Sequence, residues 1–220
     1  MGNFFNMDNA FFSTLNKFTD MLFLSVIWII LCIPIITIGP ATTALYYATV
    51  KVVRKERGYL MREFFKSFRM NFKRGAIVGV ILSIVYMILA FDLYYSWTML
   101  AVDSKKGSVL LGVFIALTFI TLCFTLYVYP ILSRFDMTVK QLMKAAIYMS
   151  MRHLPFTVAM AVVAALGIAS VLFVSMVLLF ILPALIMFIN SFMMERVFRK
   201  YMPQSEGPAE ETGKDEWYLD

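Results

Sequence analysis

The amino-acid sequence predicts an all-α fold, a polytopic transmembrane helical bundle of about five spans with a broken first span and amphipathic cytoplasmic surface helices. Hydrophobic residues occupy 61% of the 220 positions and charged residues only 15%. A soluble domain of this size needs more polar surface than that, whereas a bilayer accepts apolar runs of roughly 20 residues as spanning helices. Such runs recur along the chain, so a lipid bilayer is its expected environment.

The distribution of charge supports the same fold class. Residues 51–74 contain nine Lys and Arg residues against Glu56 and Glu63. Short loops rich in Lys and Arg lie on the cytoplasmic side of membranes, so this loop is expected to be cytoplasmic. Membrane topology explains the formal charge of +6 first, and anionic lipid or a partner protein explains it second. No nucleic-acid partner is expected.

Three regions are predicted along the chain. Residues 1–20 carry phenylalanines at helical spacing and are expected to form an amphipathic N-terminal helix along the membrane surface or against other spans. Residues 21–202 are expected to form the transmembrane domain. Residues 203–220 are acidic and poor in hydrophobic residues, which predicts a disordered tail.

The five spans are predicted at about Met21–Ile38, Gly75–Met99, Ser108–Leu132, Leu154–Leu172 and Val174–Met194. The last two are separated because residues 154–194 carry no charge over about 61 Å of helix, twice the thickness of the hydrocarbon layer. Alternation across the membrane then places the N-terminus outside and the C-terminus in the cytoplasm of a multi-pass cell-membrane protein. Four spans is the alternative.

The first span contains the least regular segment. Pro34 removes a backbone donor, and Gly39-Pro40 is expected to break or kink the helix, with a second helix beginning at Pro40. Irregular backbone at membrane depth must be satisfied by protein or by a water-filled cavity. The candidate functional kink or partner contact consists of Pro34, Thr37, Gly39, Pro40, Thr42, Tyr46 and Tyr47. A kink that only helps the helices to pack is an equally open interpretation.

Two further sets of residues are candidates for function. A helix with Phe64, Phe65, Phe68 and Phe72 on one side is expected to present a candidate cytoplasmic basic face. This face consists of Arg62, Lys66, Arg69, Lys73 and Arg74. Residues 133–153 repeat this pattern, because Lys144 and Arg152 have the same eight-residue spacing as Lys66 and Arg74 and also precede a span. A duplicated unit of surface helix and span is one hypothesis.

Asp92 and Asn190 are the candidate intramembrane polar groups. A charge at bilayer depth costs about 2.5–3.5 kcal/mol on insertion scales, so Asp92 is a functional candidate. The alternative for Asp92 is an interfacial role close to Lys105 or Lys106. Asn190 is expected to form an interhelical hydrogen bond.

Enzymatic chemistry is not expected. Cys32 and Cys123 fall inside apolar runs, and the sole histidine, His153, has no second His, Cys or carboxylate at ligand spacing. The Ser and Thr residues lack the base that nucleophilic catalysis needs. The sequence therefore predicts no catalytic residue, no cofactor and no metal.

Two stretches of the chain carry a family resemblance. Residues 34–47 read PIITIGPATTALYY, and residues 58–73 read GYLMREFFKSFRMNFK. Both resemble the YesL-like family of bacterial integral membrane proteins, a family of unknown function, and the likeness in length and span layout leaves out only the acidic tail. Genes of this family often lie beside those of carbohydrate ABC importers. The resemblance therefore implies that the chain is an accessory subunit or assembly factor in contact with importer permease subunits.

Two other functions compete with this one. The first is a small autonomous membrane transporter. The small number of spans and the scarcity of intramembrane polar groups count against it, although several copies in a homo-oligomer would build a path. Sugar uptake by the isolated protein would support it. A membrane scaffold or sensor would dock a soluble partner or anionic lipid on its basic cytoplasmic face. Loss of lipid binding without loss of uptake, after removal of the charges in 51–74, would support that function.

Overall fold

The all-α class is confirmed. A computed structural model describes residues 10–173 and 175–201, and these residues form helices and turns without a β-strand. The described helices are α1 (Ala10–Leu31), α2 (Ile38–Ala48), α3 (Leu60–Met70), α4 (Phe72–Val102), α5 (Ser104–Arg134), α6 (Val139–Arg152), α7 (Leu154–Phe173) and α8 (Leu182–Phe198). Residues 1–9 of the predicted N-terminal helix and the predicted acidic tail lie outside the described residues.

Four of the described helices are long and apolar enough to cross a membrane, namely Thr14–Leu31 within α1, α4, α5 and Leu154–Val171 within α7. The expected fifth span, Val174–Met194, is divided into a 3₁₀ turn at Met176–Phe180 and α8, which has 17 residues. Pro183 lies in the first turn of α8. Proline is tolerated there because a backbone N–H at that position has no partner within the helix. A shorter helix thus replaces the expected fifth span.

The predicted break in the first span is confirmed, but it reverses the chain instead of kinking it. Helix α1 ends at Leu31 rather than at Ile38, a 3₁₀ turn follows at Ile35–Thr37, and α2 returns alongside α1. The indole N–H of Trp28 donates to Thr42 Oγ1 over 3.1 Å. Helix α1 also passes residue 20 without interruption, so the two segments expected to meet there share one helix.

This hairpin changes the expected path of the chain. Lys17 in the first half of α1 forms an ion pair of 2.7 Å with Glu56 in the basic loop. The beginning of α1 therefore lies at the same face of the bundle as loop 51–74. The single first span indicated by the sequence would have placed these two segments at opposite ends, whereas the chain runs along α1 and returns along α2.

Helix α2 occupies the centre of the bundle. Its residues from Gly39 to Tyr46 are all buried, and it contacts α1, α3, α4, α5 and α8. Leu45 packs in a cluster with Met21 and Phe64, while Tyr46 packs in a second cluster with Tyr127 and Phe198. Because α2 contributes residues to both hydrophobic clusters, it links them.

Helices α4 and α5 form a long antiparallel hairpin. The turn between them is at Asp103, whose carboxylate accepts a hydrogen bond of 3.1 Å from the backbone N–H of Lys106 and so caps α5. Of residues 84–120, all of which the structure describes, only Leu89, Ser96 and Gly107 are buried. We call this stretch the outer hairpin; most of its apolar surface faces away from the rest of the described chain.

Candidate functional site

The break segment, residues 34–47, packs on α4 through direct backbone contact. A Cβ atom on Gly39 would lie 1.9 Å from the carbonyl oxygen of Gly75 and 3.0 Å from Cα of Gly79. Glycines four residues apart on a membrane helix let a second backbone approach closely. The sequence reasoning missed this contact, although the Gly-x-x-x-Gly spacing of Gly75 and Gly79 was a signal for it.

The irregular backbone of the break is satisfied by protein groups. The Thr37 hydroxyl donates to the carbonyl oxygens of Leu31 and, over 2.7 Å, of Pro34. The Thr42 hydroxyl donates to the carbonyl oxygen of Ile38 over 2.7 Å while it accepts from Trp28. These bonds supply the partners that a helix end lacks at membrane depth.

The candidate residues of the break do not share one exposed surface. Pro34 is exposed and Thr37 is half-buried, but Gly39, Pro40, Thr42 and Tyr46 are buried against other helices. Tyr47 is half-buried beside the Lys51–Glu63 ion pair. This burial favours the packing interpretation for most of the segment.

A buried ionic cluster ties α2, α5 and α8 together. Glu195 Oε1 accepts a hydrogen bond of 2.9 Å from the Tyr46 hydroxyl and forms an ion pair of 2.5 Å with Arg134 Nη2. The Arg134 side chain is 1% exposed. Charges removed from water to this extent must be paired and hydrogen-bonded, so the cluster fixes where three helices meet.

A second ionic cluster lies one turn farther along, where α2 continues as a π-helical turn at Thr49–Arg54. Lys51 Nζ forms an ion pair of 2.9 Å with Glu63 of α3 and donates to the Tyr47 hydroxyl over 3.2 Å. Burial alone would lower the pKa of Lys51, but these hydrogen bonds outweigh it and raise the pKa above its usual value. Lys51 therefore stays charged and holds α3 against α2.

Arg54 of the same π-helical turn joins the bundle to α8. Its guanidinium donates to the carbonyl oxygen of Ser191 over 2.9 Å and lies 4.3 Å from the ring centre of Phe192. Such cation–π contacts contribute about 0.5–1 kcal/mol at exposed sites. Burial, followed by the charge of Arg134, lowers the pKa of the neighbouring Lys55.

The positive charges of the sequence thus separate into two groups. Lys51, Arg54 and Arg134 are internal ties, which sequence reasoning treated only as loop charge. Of the candidate basic face, Arg62, Arg69 and Lys73 are exposed, Lys66 and Arg74 are half-buried, and Arg74 forms an ion pair with Asp136. The Arg134–Glu195 pair spans 61 residues of sequence, and no local spacing signals such a contact.

The two intramembrane candidates differ in their surroundings. Asp92 is half-buried on the outer hairpin, and within residues 10–173 and 175–201 its carboxylate makes no hydrogen bond or ion pair. Lys106, one of its expected neighbours, pairs with Asp103 at 3.3 Å instead. Asn190 is 4% exposed, and neither of its amide atoms has a hydrogen-bond partner in the described part of the chain. The interhelical bond expected of Asn190 is not found there.

Between Ala10 and Tyr201, leaving out Val174, no three His, Cys, Asp or Glu side chains lie close enough together to hold a metal ion.

Comparison with known proteins gives a match to a family model. Residues 21–93 match the family model described as "Protein of unknown function, DUF624". The match covers about a third of the chain and contains the α1–α2 hairpin, the two glycines of α4 and both stretches that carry the family resemblance. No curated protein matches the chain, and no solved structure matches it.

Proposed function

We propose that the chain is a non-enzymatic accessory subunit or assembly factor that binds the transmembrane helices of a partner, and that the partner is a permease subunit of a carbohydrate ABC importer. The observation that carries the binding role is Asp92, an acidic group on the outer hairpin without a partner among the described residues. The class of the partner is supported by the resemblance of residues 34–47 and 58–73 to the YesL-like family.

The depth of Asp92 makes its isolation costly. Met87 is the middle residue of α4, and Asp92 lies five residues from it, about 7–8 Å along the helix axis. If α4 spans the bilayer symmetrically, that position is inside the ~15 Å half-thickness of the hydrocarbon layer. A carboxylate there costs about 2.5–3.5 kcal/mol on insertion scales. A basic or hydrogen-bonding group on a partner helix would offset this cost.

The surface around Asp92 suits contact with another helix. Ile88, Phe91 and Tyr95 flank it at helical spacing and are all exposed, with Phe91 68% exposed. On α5, a Cβ atom at Gly112 would meet nothing within 4 Å, so this position leaves room for a close approach. Tyr95 belongs to a residue type that is enriched among those that dominate the free energy of binding at interfaces.

Purification of the tagged full-length protein from its native membrane in mild detergent tests the proposal. We expect stoichiometric recovery of importer permease subunits with the native chain, and loss of most of them with Asp92→Leu. Asp103→Asn is the matched control, because it removes a carboxylate from the same hairpin while it keeps a residue that caps α5; it should recover the permease as the native chain does. Size-exclusion chromatography of each variant checks that it is folded.

Recovery of the native chain alone would contradict the proposal and would put autonomous transport or sensing first. Equal recovery of permease with Asp92→Leu would show that the outer hairpin is not the interface. The first outcome tests the accessory role, and the second tests whether the outer hairpin is the binding surface.

A further inference from the structure

We infer that the exposed faces of α3 and α6 together form a binding surface for anionic phospholipid head groups. This inference is independent of the proposed function, since it concerns the opposite end of the α4–α5 hairpin from Asp103. It rests on the position, the side chains and the charge of these two helices.

The position of the two helices is equivalent. A single residue, Asn71, joins α3 to α4, and a single residue, His153, joins α6 to α7. Each amphipathic helix therefore lies where an apolar helix begins, which corresponds to the level of the lipid head groups when α4 and α7 span a bilayer. An ion pair between Arg74 and Asp136 connects the two units. Each unit thus consists of an amphipathic helix followed, after one residue, by a long apolar helix.

Each helix has two distinct faces. Phe64 and Ser67 of α3 are buried against the bundle, as are Leu142, Ala146 and Met149 of α6. The opposite faces form shallow depressions in which apolar and basic side chains alternate. These depressions are lined by Met61, Arg62, Phe65, Lys66, Arg69 and Met70 on α3, and by Lys144, Ile147, Tyr148, Met151 and Arg152 on α6.

Several apolar side chains of the depressions are exposed. Met151 is 68% exposed, and Met61 and Ile147 are each about half exposed. Side chains of this kind, mixed with Lys and Arg, are typical of helices that lie in the membrane surface with their apolar groups at the boundary between head groups and acyl chains. The long basic side chains then extend to the phosphates.

The charge of both faces is entirely positive. Glu63, the acidic residue of α3, is buried in its ion pair with Lys51, and α6 contains no acidic residue. Anionic lipids attract each such Lys or Arg with about 1 kcal/mol. An acidic soluble protein would also match the charge, but the position of the faces at the beginning of two apolar helices favours the membrane surface.

Reconstitution of the full chain into nanodiscs of phosphatidylcholine with a minority of phosphatidylglycerol tests this inference. Native mass spectrometry would give the ratio of the two lipids that remain bound to the protein. We expect a preference for phosphatidylglycerol, lowered by at least about five-fold in the variant R62Q/R69Q and likewise in K144Q/R152Q, which is the loss that one interfacial contact predicts. The variant K105Q/K106Q removes two charges from the other end of the hairpin and should keep the preference.

A native chain without a preference for phosphatidylglycerol would overturn the inference. So would a preference that K105Q/K106Q lowers as much as the two test variants do. If the test variants instead lose a co-purifying soluble protein while lipid selection is unchanged, the surface binds protein and the inference is wrong. Thermal unfolding of each variant in the same nanodiscs identifies any that fail to fold, and the single substitutions Arg62→Gln and Arg152→Gln then replace them.

Discussion

The backbone of Gly39 lies directly against the backbone of Gly75. A Cβ atom on Gly39 would be 1.9 Å from the Gly75 carbonyl oxygen, and a Cβ atom on Gly75 would be 2.8 Å from the nitrogen of Pro40. Neither side of this contact is a flexible side chain that could move away. The α1–α2 hairpin can therefore reach its place on α4 only when both positions lack a side chain.

Gly39→Ala is expected to destabilise the protein. Overpacking of a close contact costs about 1–3 kcal/mol, and more where backbone must move. Gly112→Ala is the matched control, because its Cβ atom would meet nothing within 4 Å; it should leave stability unchanged or raise it slightly through helix propensity. Thermal unfolding in detergent, followed by size-exclusion chromatography, gives the comparison. Equal midpoints for the two variants would mean that the backbone contact is not as close as described.

The buried pair of Arg134 and Glu195 should show strong coupling. Removal of one partner leaves an unpaired buried charge, so Arg134→Met and Glu195→Leu are each expected to cost about 3–5 kcal/mol, whereas the double variant should recover much of that loss. Arg74→Gln removes the half-buried ion-pair partner of the exposed Asp136 carboxylate and should cost at most about 1 kcal/mol. A double-mutant cycle on unfolding free energies measures the coupling, and additive losses would argue against a buried pair.

The stability of the α6–α7 junction should depend on pH through His153. Its Nε2 lies 3.1 Å from the Tyr201 hydroxyl, and burial, followed by the charges of Lys200 and Arg152, lowers the pKa of His153 below its usual value of 6.5. The unfolded chain then binds a proton more readily than the folded chain, so this contribution to stability is present above about pH 6.5 and is lost as the pH falls.

Thermal unfolding between about pH 7.5 and 5.5 checks this dependence. The midpoint of the native chain should fall more steeply than that of His153→Gln, which has no imidazole to protonate. Parallel curves for the two proteins would show that His153 does not titrate differently in the folded and unfolded states.

The α1–α2 hairpin predicts which positions share one side of the membrane. Lys17 pairs with Glu56, so single cysteines at Thr14 and at Tyr59 should react with an impermeant thiol reagent from the same side, in a chain whose native Cys32 and Cys123 have been replaced. A cysteine at Lys105 should react from the other side. If positions 14 and 105 instead reacted from the same side, the chain would cross the membrane once before loop 51–74, as the sequence indicated.

The sequence was sufficient for the fold class because composition and the length of apolar runs determine it directly. It also located the break at Pro34–Pro40, since proline and glycine act through local backbone geometry. It did not reveal that the chain reverses there, because the reversal depends on contacts such as Gly39 with Gly75 and Trp28 with Thr42. Nor did it separate structural charges from surface charges, since Lys51, Arg134 and Glu195 find their partners only in the folded bundle.

Photo-crosslinking from position 91 tests most directly whether the outer hairpin binds a partner helix. A photoreactive amino acid in place of Phe91, which is exposed beside Asp92, would be activated in the native membrane, with position 61 on α3 as the control. We expect a defined adduct with an importer permease subunit from position 91, reduced when Asp92→Leu is combined with it, and no such adduct from position 61. Adducts with lipid alone from position 91 would contradict the proposal that this surface binds a permease.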